Sequence, residues 1–78
     1  MEKPVSPIEQ YVIDAIRKRR TELGISQKVL GEMVDLSIGF MGDVESIKSK
    51  AHFNLNHINA IAKALNCSPR ELLPENPL

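Results

Sequence analysis

The side chains best suited to chemistry in this chain are basic ones, and they fall into two groups. The first group is opposed only by Glu22 and consists of Arg17, Lys18, Arg19, Arg20 and Lys28. The second group, Lys48 and Lys50, lies in a stretch without acidic residues, whereas residues 29–45 contain four acidic residues and no basic ones. Although the net charge is zero, this distribution predicts a basic surface that could bind anions. The alternative is an ordinary solvated helix face.

No combination of residues favours catalysis or the binding of a metal or cofactor. His52 and His57 have no Cys or carboxylate at metal-ligand spacing, so we expect surface or capping roles for both. Cys67 is the only cysteine, and we expect a small packed residue at a helix junction. The chain has no phosphate-binding glycine loop and is too short to enclose a substrate. We therefore expect neither an enzyme nor a protein with a small-molecule substrate.

Length and composition indicate a single small globular domain. The 78 residues are 42% apolar with only three aromatic residues, which predicts a small aliphatic core. No apolar run reaches membrane-spanning length, and MEKPVSPIEQ lacks a signal-peptide pattern. We expect no membrane association and a cytoplasmic location. The predicted boundaries are a flexible N-terminus at 1–6, a domain at 7–73 and a tail at 74–78.

Start and stop signals divide the chain into five short helices, so the predicted fold class is all-α. Residues 6–9 combine a Ser cap, a Pro and a Glu at the spacing of a helix start, and Gly24 stops this first helix. The next three helices begin after capping residues, namely Ser26, Ser37 and Asn54. Residues 46–53 form a polar loop. Residues 68–71 repeat the opening signal for a last short helical turn through residues 72–73, which Pro74 and Pro77 end.

The segment from Gln27 to Ser46 meets the demands of two helices that cross closely at a steep angle. Gly31 is a small residue where the helices would touch. Asp35, in the turn between them, is one of the few residues besides glycine that tolerates a left-handed backbone. Apolar residues are placed to join the two helices, namely Leu30, Val34, Leu36, Met41 and Val44. We also expect Met33 to lie in the core.

In these features the chain resembles the phage-repressor class of helix-turn-helix proteins, typified by lambda repressor and Cro. The resemblance covers about residues 17–73. It rests on R-x-x-x-G from Arg20, S-Q-x-x-L-G from Ser26, L-S at Leu36, V-E at Val44 and I-A-K-A-L-N-C-S-P-R-E-L-L from Ile61. It implies a compact five-helix bundle whose second and third helices form the helix-turn-helix. It also implies binding to operator double-stranded DNA, commonly as a homodimer, with the third helix in the major groove.

Three positions depart from the pattern of this class. Its usual small Ala in the second helix is Gly31 here, and its usual turn Gly is Asp35. Its usual Gly two residues after the Glu that ends the third helix is Ile47, so the loop must leave that helix differently.

The third helix would present a face with few side chains to DNA. At about 100° per residue, its core face comprises Phe40, Met41 and Val44. The opposite face comprises Gly39, Gly42, Asp43 and Ser46, with Ile38 at the edge. Residues 36–46, LSIGFMGDVES, contain none of the Arg, Lys, Asn or Gln residues that usually read bases.

The candidate DNA contacts of this helix are therefore unusual ones. Ile38 could touch a thymine methyl group, Ser37 could bond a phosphate or a base, and Asp43 could accept from a cytosine amino group. Because Gly39 and Gly42 have no side chain, they could permit the helix backbone to approach a partner closely. The alternative is that these two glycines arose by neutral genetic drift in a helix that no longer reads bases.

Other candidate residues contact phosphate or hold the domain together. The resemblance implies that Gln27 and the loop after the third helix hold phosphates. Charge alone adds further phosphate candidates, namely Lys28, Lys48, Lys50 and Arg19. The resemblance also pairs Arg20 with Glu45, and because an unpaired half-buried charge is costly, a structural ion pair is the expected outcome.

Two functions fit these observations. The first is a sequence-specific transcription regulator that binds DNA as a homodimer. The second is a protein-interaction module on the same scaffold, an adaptor or antitoxin-like partner, favoured by the slightly apolar surface of the third helix. Exposed apolar residues near Phe53 and in the segment 72–73 are candidates for the dimer surface.

Overall fold

The computed structural model describes residues 4–78 and shows an all-α protein. Its α-helices are α1, Pro7–Glu22; α2, Gln27–Val34; α3, Ile38–Glu45; and α4, Leu55–Ala64. Each begins after a residue whose side chain accepts a backbone N–H of the first turn, namely Ser6, Ser26, Ser37 and Asn54. These caps satisfy amides that would otherwise lack partners. The predicted helix starts and the all-α class are confirmed.

The expected fifth α-helix is instead a single 3₁₀ turn at Pro69–Leu72, so the prediction of a five-helix bundle was wrong. The start signal does operate, because Ser68 caps the turn and the Glu71 carboxylate accepts the Ser68 amide at 2.6 Å. The turn ends at once because Leu73 precedes Pro74 and takes an extended backbone, with φ −113° and ψ 151°. Proline excludes the residue before it from the helical region.

The core is small and almost entirely aliphatic, as the composition predicts. It is formed by Val12, Ile13, Ile16, Leu30, Met41, Val44, Phe53, Ile58, Ile61, Ala62, Leu65 and Leu72. Met33 does not belong to it, because Val34, one turn after Leu30, takes the inner position of α2 and leaves Met33 49% exposed. The expected core position of Met33 was wrong.

The two ends of the described chain are both close to α1. Of the predicted flexible segment 1–6, residues 1–3 lie outside the described residues, whereas Val5 packs against the core and Ser6 caps α1. The 3₁₀ turn packs against α1 and α4 and buries Leu72. Within residues 4–78, no helix is both long enough and apolar enough to cross a membrane.

Candidate nucleic-acid interface

The turn between α2 and α3 brings the two helices into close contact. Asp35 ends α2 in the left-handed region, with φ 61° and ψ 41°, and the Leu36 amide donates to the Gly31 carbonyl at 2.8 Å. A Cβ on Gly31 would lie 2.7 Å from the Leu36 carbonyl oxygen and 3.1 Å from Met41 Cγ. Even an alanine would therefore force the turn to shift. The expected roles of Gly31 at the crossing and of Asp35 in the turn are confirmed.

Arg20 joins both ends of the helix pair to α1. Its Nη2 donates to the Glu45 carboxylate, at 3.0 Å from Oε1 and 3.2 Å from Oε2, and its Nη1 donates to the Ile25 carbonyl at 2.9 Å. The side chains of Arg20 and Glu45 are only 10% and 9% exposed. Because Ile25 precedes the cap of α2 and Glu45 ends α3, one guanidinium orients both helices. Removing one partner of such a pair leaves an uncompensated buried charge.

The outward side of α3 is open. Apart from its chain neighbours and the nearby backbone of α3, a Cβ built on Gly42 would meet no atom of residues 4–78 within 4 Å, and one on Gly39 would meet only the Ser37 Oγ, at 4.0 Å. Ile38 is 64% exposed and Asp43 is exposed. Met41 and Val44 are fully buried on the opposite side. Neither glycine is required by packing, and this face is free to approach a partner.

The start of α2 has donors available for an anion. Ser26 Oγ accepts the Val29 amide at 3.1 Å, which leaves the Gln27 and Lys28 amides of the first turn for an outside acceptor. The Gln27 side chain is half-buried and the Lys28 side chain is exposed. Backbone amides, an amide side chain and an ammonium group are thus adjacent at one helix end.

The loop that follows α3 is held by short-range hydrogen bonds and leaves Lys48 and Lys50 exposed. His52 ties this loop to α1, because its Nε2 lies 3.2 Å from Glu9 Oε2 and its Nδ1 lies 3.1 Å from the Lys50 carbonyl oxygen. The hydrogen bond from the Ser6 backbone amide lowers the pKa of Glu9, with smaller contributions from the Ser6 hydroxyl and His52. Glu9 is therefore ionised at neutral pH where it faces His52.

Ring contacts connect α3 to the start of α4. The Phe40 ring centroid lies 5.2 Å from that of His57 and 6.0 Å from that of Phe53. His57 Nδ1 also accepts the Asn54 amide at 3.1 Å and completes the cap of α4. The expected capping role of a histidine is confirmed for His57, whereas no sequence pattern indicated its contact with Phe40.

The structure adds detail to two further sets of candidate residues. Arg19, a phosphate candidate by charge alone, donates from its Nη2 to the Leu65 carbonyl at the C-terminal end of α4, at 3.3 Å. Phe53 and Leu72 are themselves only 6% and 2% exposed and belong to the core, whereas Leu55, near Phe53, is 77% exposed. A dimer surface near Phe53 therefore stays a prediction.

Two crossed helices joined by a tight turn, with the second exposing one open side, define a helix-turn-helix protein. The chain belongs to the Cro/C1-type helix-turn-helix DNA-binding family, whose model matches residues 15–77. The resemblance inferred from the sequence is thereby confirmed. Family and fold make the chain a DNA-binding regulator of transcription and not an enzyme.

A solved structure of the same fold supports this assignment. The restriction-modification controller protein C.AhdI from Aeromonas hydrophila is 32% identical to this chain, with a TM-score of 0.69. The match covers 81% of this chain and 92% of the controller protein. No curated protein sequence matches the chain.

Proposed function

We propose that residues 7–73 form a domain that binds a specific double-stranded DNA site as a homodimer in the cytoplasm, with α3 in the major groove. The observation that carries this proposal is the open outward side of α3 in a chain of the Cro/C1-type family. In helix-turn-helix proteins the second helix of the pair enters the groove while the first crosses the backbone. The similar structure is that of a restriction-modification controller protein, which is a precedent for a controlling role of this fold.

Phosphate contacts come from the two segments that adjoin α3 in the chain. At the start of α2, the Gln27 side chain and the amides of Gln27 and Lys28 receive one phosphate oxygen, and the Lys28 ammonium adds charge. In the loop after α3, Lys48 and Lys50 are exposed and unopposed by nearby acids in the sequence. These contacts fix the position of α3 without selecting a base sequence.

Base contacts come from the few groups that α3 exposes. Ile38 contacts a thymine methyl group, Asp43 accepts from a cytosine amino group, and Ser37 donates its hydroxyl hydrogen to a phosphate or base. The Ser37 oxygen can do this while it accepts the Phe40 amide at 3.0 Å. Gly39 and Gly42 let the helix backbone approach the base edges.

The limited reach of one helix supports a homodimer. Eight residues of α3 extend about 12 Å, which spans only a few base pairs. Two copies that insert α3 into successive major grooves read two half-sites about one helical turn apart. The selected site should therefore be palindromic.

Selection from random duplex DNA, followed by binding titrations across a salt series, tests the proposal. We expect an enriched palindromic motif and a steep fall in affinity as salt rises, because phosphate neutralisation releases counterions. Lys28→Ala, Lys48→Ala and Lys50→Ala should each reduce the magnitude of the salt slope by about one.

Lys63→Ala is the matched control, since Lys63 is an exposed lysine in the last turn of α4. It should leave the salt slope unchanged. The absence of an enriched motif, together with salt-independent binding, would contradict the proposal and favour a protein partner on the α3 surface.

A further inference from the structure

We propose that this protein detects the 5-methyl group of a pyrimidine base and that Ile38 is the side chain that contacts it. The inference rests on the proposed placement of α3 in the major groove. Thymine and 5-methylcytosine carry this methyl group at the same position in that groove, whereas cytosine lacks it. Binding would therefore depend on the methylation state of a cytosine placed against Ile38.

The chemistry that α3 exposes leaves few other means of reading bases. Guanine and adenine are usually read by side chains that donate in pairs or combine donor and acceptor, such as Arg, Asn and Gln. Residues 36–46 contain none of these. Because Glu45 is engaged by Arg20, the exposed groups are the Ser37 hydroxyl, the Ile38 alkyl chain and the Asp43 carboxylate. Only the single Ser37 hydroxyl can donate a hydrogen bond, and one hydroxyl cannot donate in pairs as Arg does.

The position of Ile38 suits contact with a methyl group. It is the first residue of α3 and 64% exposed, and the N-terminal residues of a recognition helix are those that contact base edges. Its β-branched side chain is restricted in rotamer, so little freedom is lost when it is buried. Gly39, beside it, and Gly42, one turn further on, leave open space around it. The methyl-binding element is thus one conformationally restricted alkyl side chain next to two glycines.

The test replaces single methyl groups in the DNA duplex obtained by selection. Deoxyuridine is substituted for each thymine in turn, and the affinity of the full chain is measured for each duplex. We expect one thymine in each half-site at which the loss of the methyl weakens binding about fourfold, the factor for burying one methylene-sized group. When that base pair is changed to C·G, 5-methylcytosine should bind about fourfold more tightly than cytosine.

The same measurements on Ile38→Ala complete a double-mutant cycle. In this variant the loss of the DNA methyl group should have no effect. Alanine is a better helix former than isoleucine and the position is exposed, so the variant should fold. Ile47→Ala is the matched control, because Ile47 is 69% exposed but lines a groove with residues at the start of α1. It should retain the full effect of the methyl group.

Each outcome separates this inference from the proposed function. An enriched motif in which no thymine responds to deoxyuridine would overturn methyl detection and leave DNA binding intact. An equal methyl effect in wild type and Ile38→Ala would also overturn it. Failure to enrich any motif would overturn the proposed function, and methyl detection with it.

Discussion

Helices α2 and α3 are alike in construction but place glycine on opposite sides. Each has eight residues and a Ser cap whose side chain accepts the amide three residues later. Gly31 of α2 faces inward, where a Cβ would lie 2.7 Å from a backbone oxygen. Gly39 and Gly42 of α3 face outward into open space. Packing therefore explains the glycine of α2 but not those of α3.

The contrast separates a requirement of folding from a feature that suits binding. A helical glycine costs about 1 kcal/mol relative to alanine. At Gly31 the close helix crossing offsets that cost, whereas no contact within residues 4–78 offsets it at Gly42. The outer side of α2 instead bears an ordinary set of exposed side chains, namely Lys28, Val29, Glu32 and Met33. The absence of side chains on the outer side of α3 is thus a local property of the helix that we propose enters the DNA groove.

The largest expected effect concerns the contact that orients both helices. Glu45→Ala leaves the Arg20 guanidinium buried without its carboxylate, and we expect the free energy of unfolding to fall by about 3 kcal/mol. Urea unfolding measures this change. Asp43→Ala is the control, because it removes an exposed carboxylate from the same helix and should change stability little. Equal effects of the two substitutions would contradict the structural role of the pair.

Gly31→Ala tests the inward glycine. Overpacking against the Leu36 carbonyl lowers the free energy of unfolding by about 2 kcal/mol. The better helix propensity of alanine offsets about 1 kcal/mol of this loss. We expect a net loss of about 1 kcal/mol in the free energy of unfolding, measured by the same urea titration. An increase in stability would show that the turn can relax away from α2.

Gly42→Ala is the matched substitution on α3, and we expect the opposite sign. The free energy of unfolding should rise by about 1 kcal/mol, because a Cβ there meets open space. Affinity for the selected DNA should fall, since the added methyl group holds the backbone away from the bases. Unchanged affinity would indicate that the open side of α3 does not approach DNA closely.

The smallest expected effect lies in the turn between the two helices. Asp35 holds a left-handed backbone that glycine adopts without a Cβ penalty. We expect Asp35→Gly to raise the free energy of unfolding by about 0.5 kcal/mol, which thermal unfolding would detect. Asn66→Gly is the matched control at the other non-glycine residue with positive φ in the described chain, at 56°. A clear loss of stability at Asp35 alone would reveal a contact specific to its side chain.

The local architecture could be predicted because its signals lie within a few residues of the backbone they control. Ser26 and Ser37 cap the helices that follow them, and Asp35 adopts the left-handed turn. The one error of this kind is the fifth α-helix, because between the start signal at Ser68 and the stop at Pro74 the chain completes only a single 3₁₀ turn. Both signals were in the sequence.

The directions of individual side chains could not be predicted in the same way. Arg19 and Arg20 are adjacent in the chain, yet Arg19 donates to Leu65 at the end of α4 while Arg20 pairs with Glu45. The resemblance to a known class suggested the second pairing, but nothing suggested the first. His52 likewise reaches Glu9, 43 positions earlier in the chain.

The sequence alone determined the all-α class, the helix starts and the crossed pair of helices, because caps, turns and glycine act through the backbone nearby. Only the tertiary structure decided which basic side chains remain free and which glycines face solvent. Those outcomes depend on what lies opposite each side chain after packing, and that neighbour comes from a distant part of the chain.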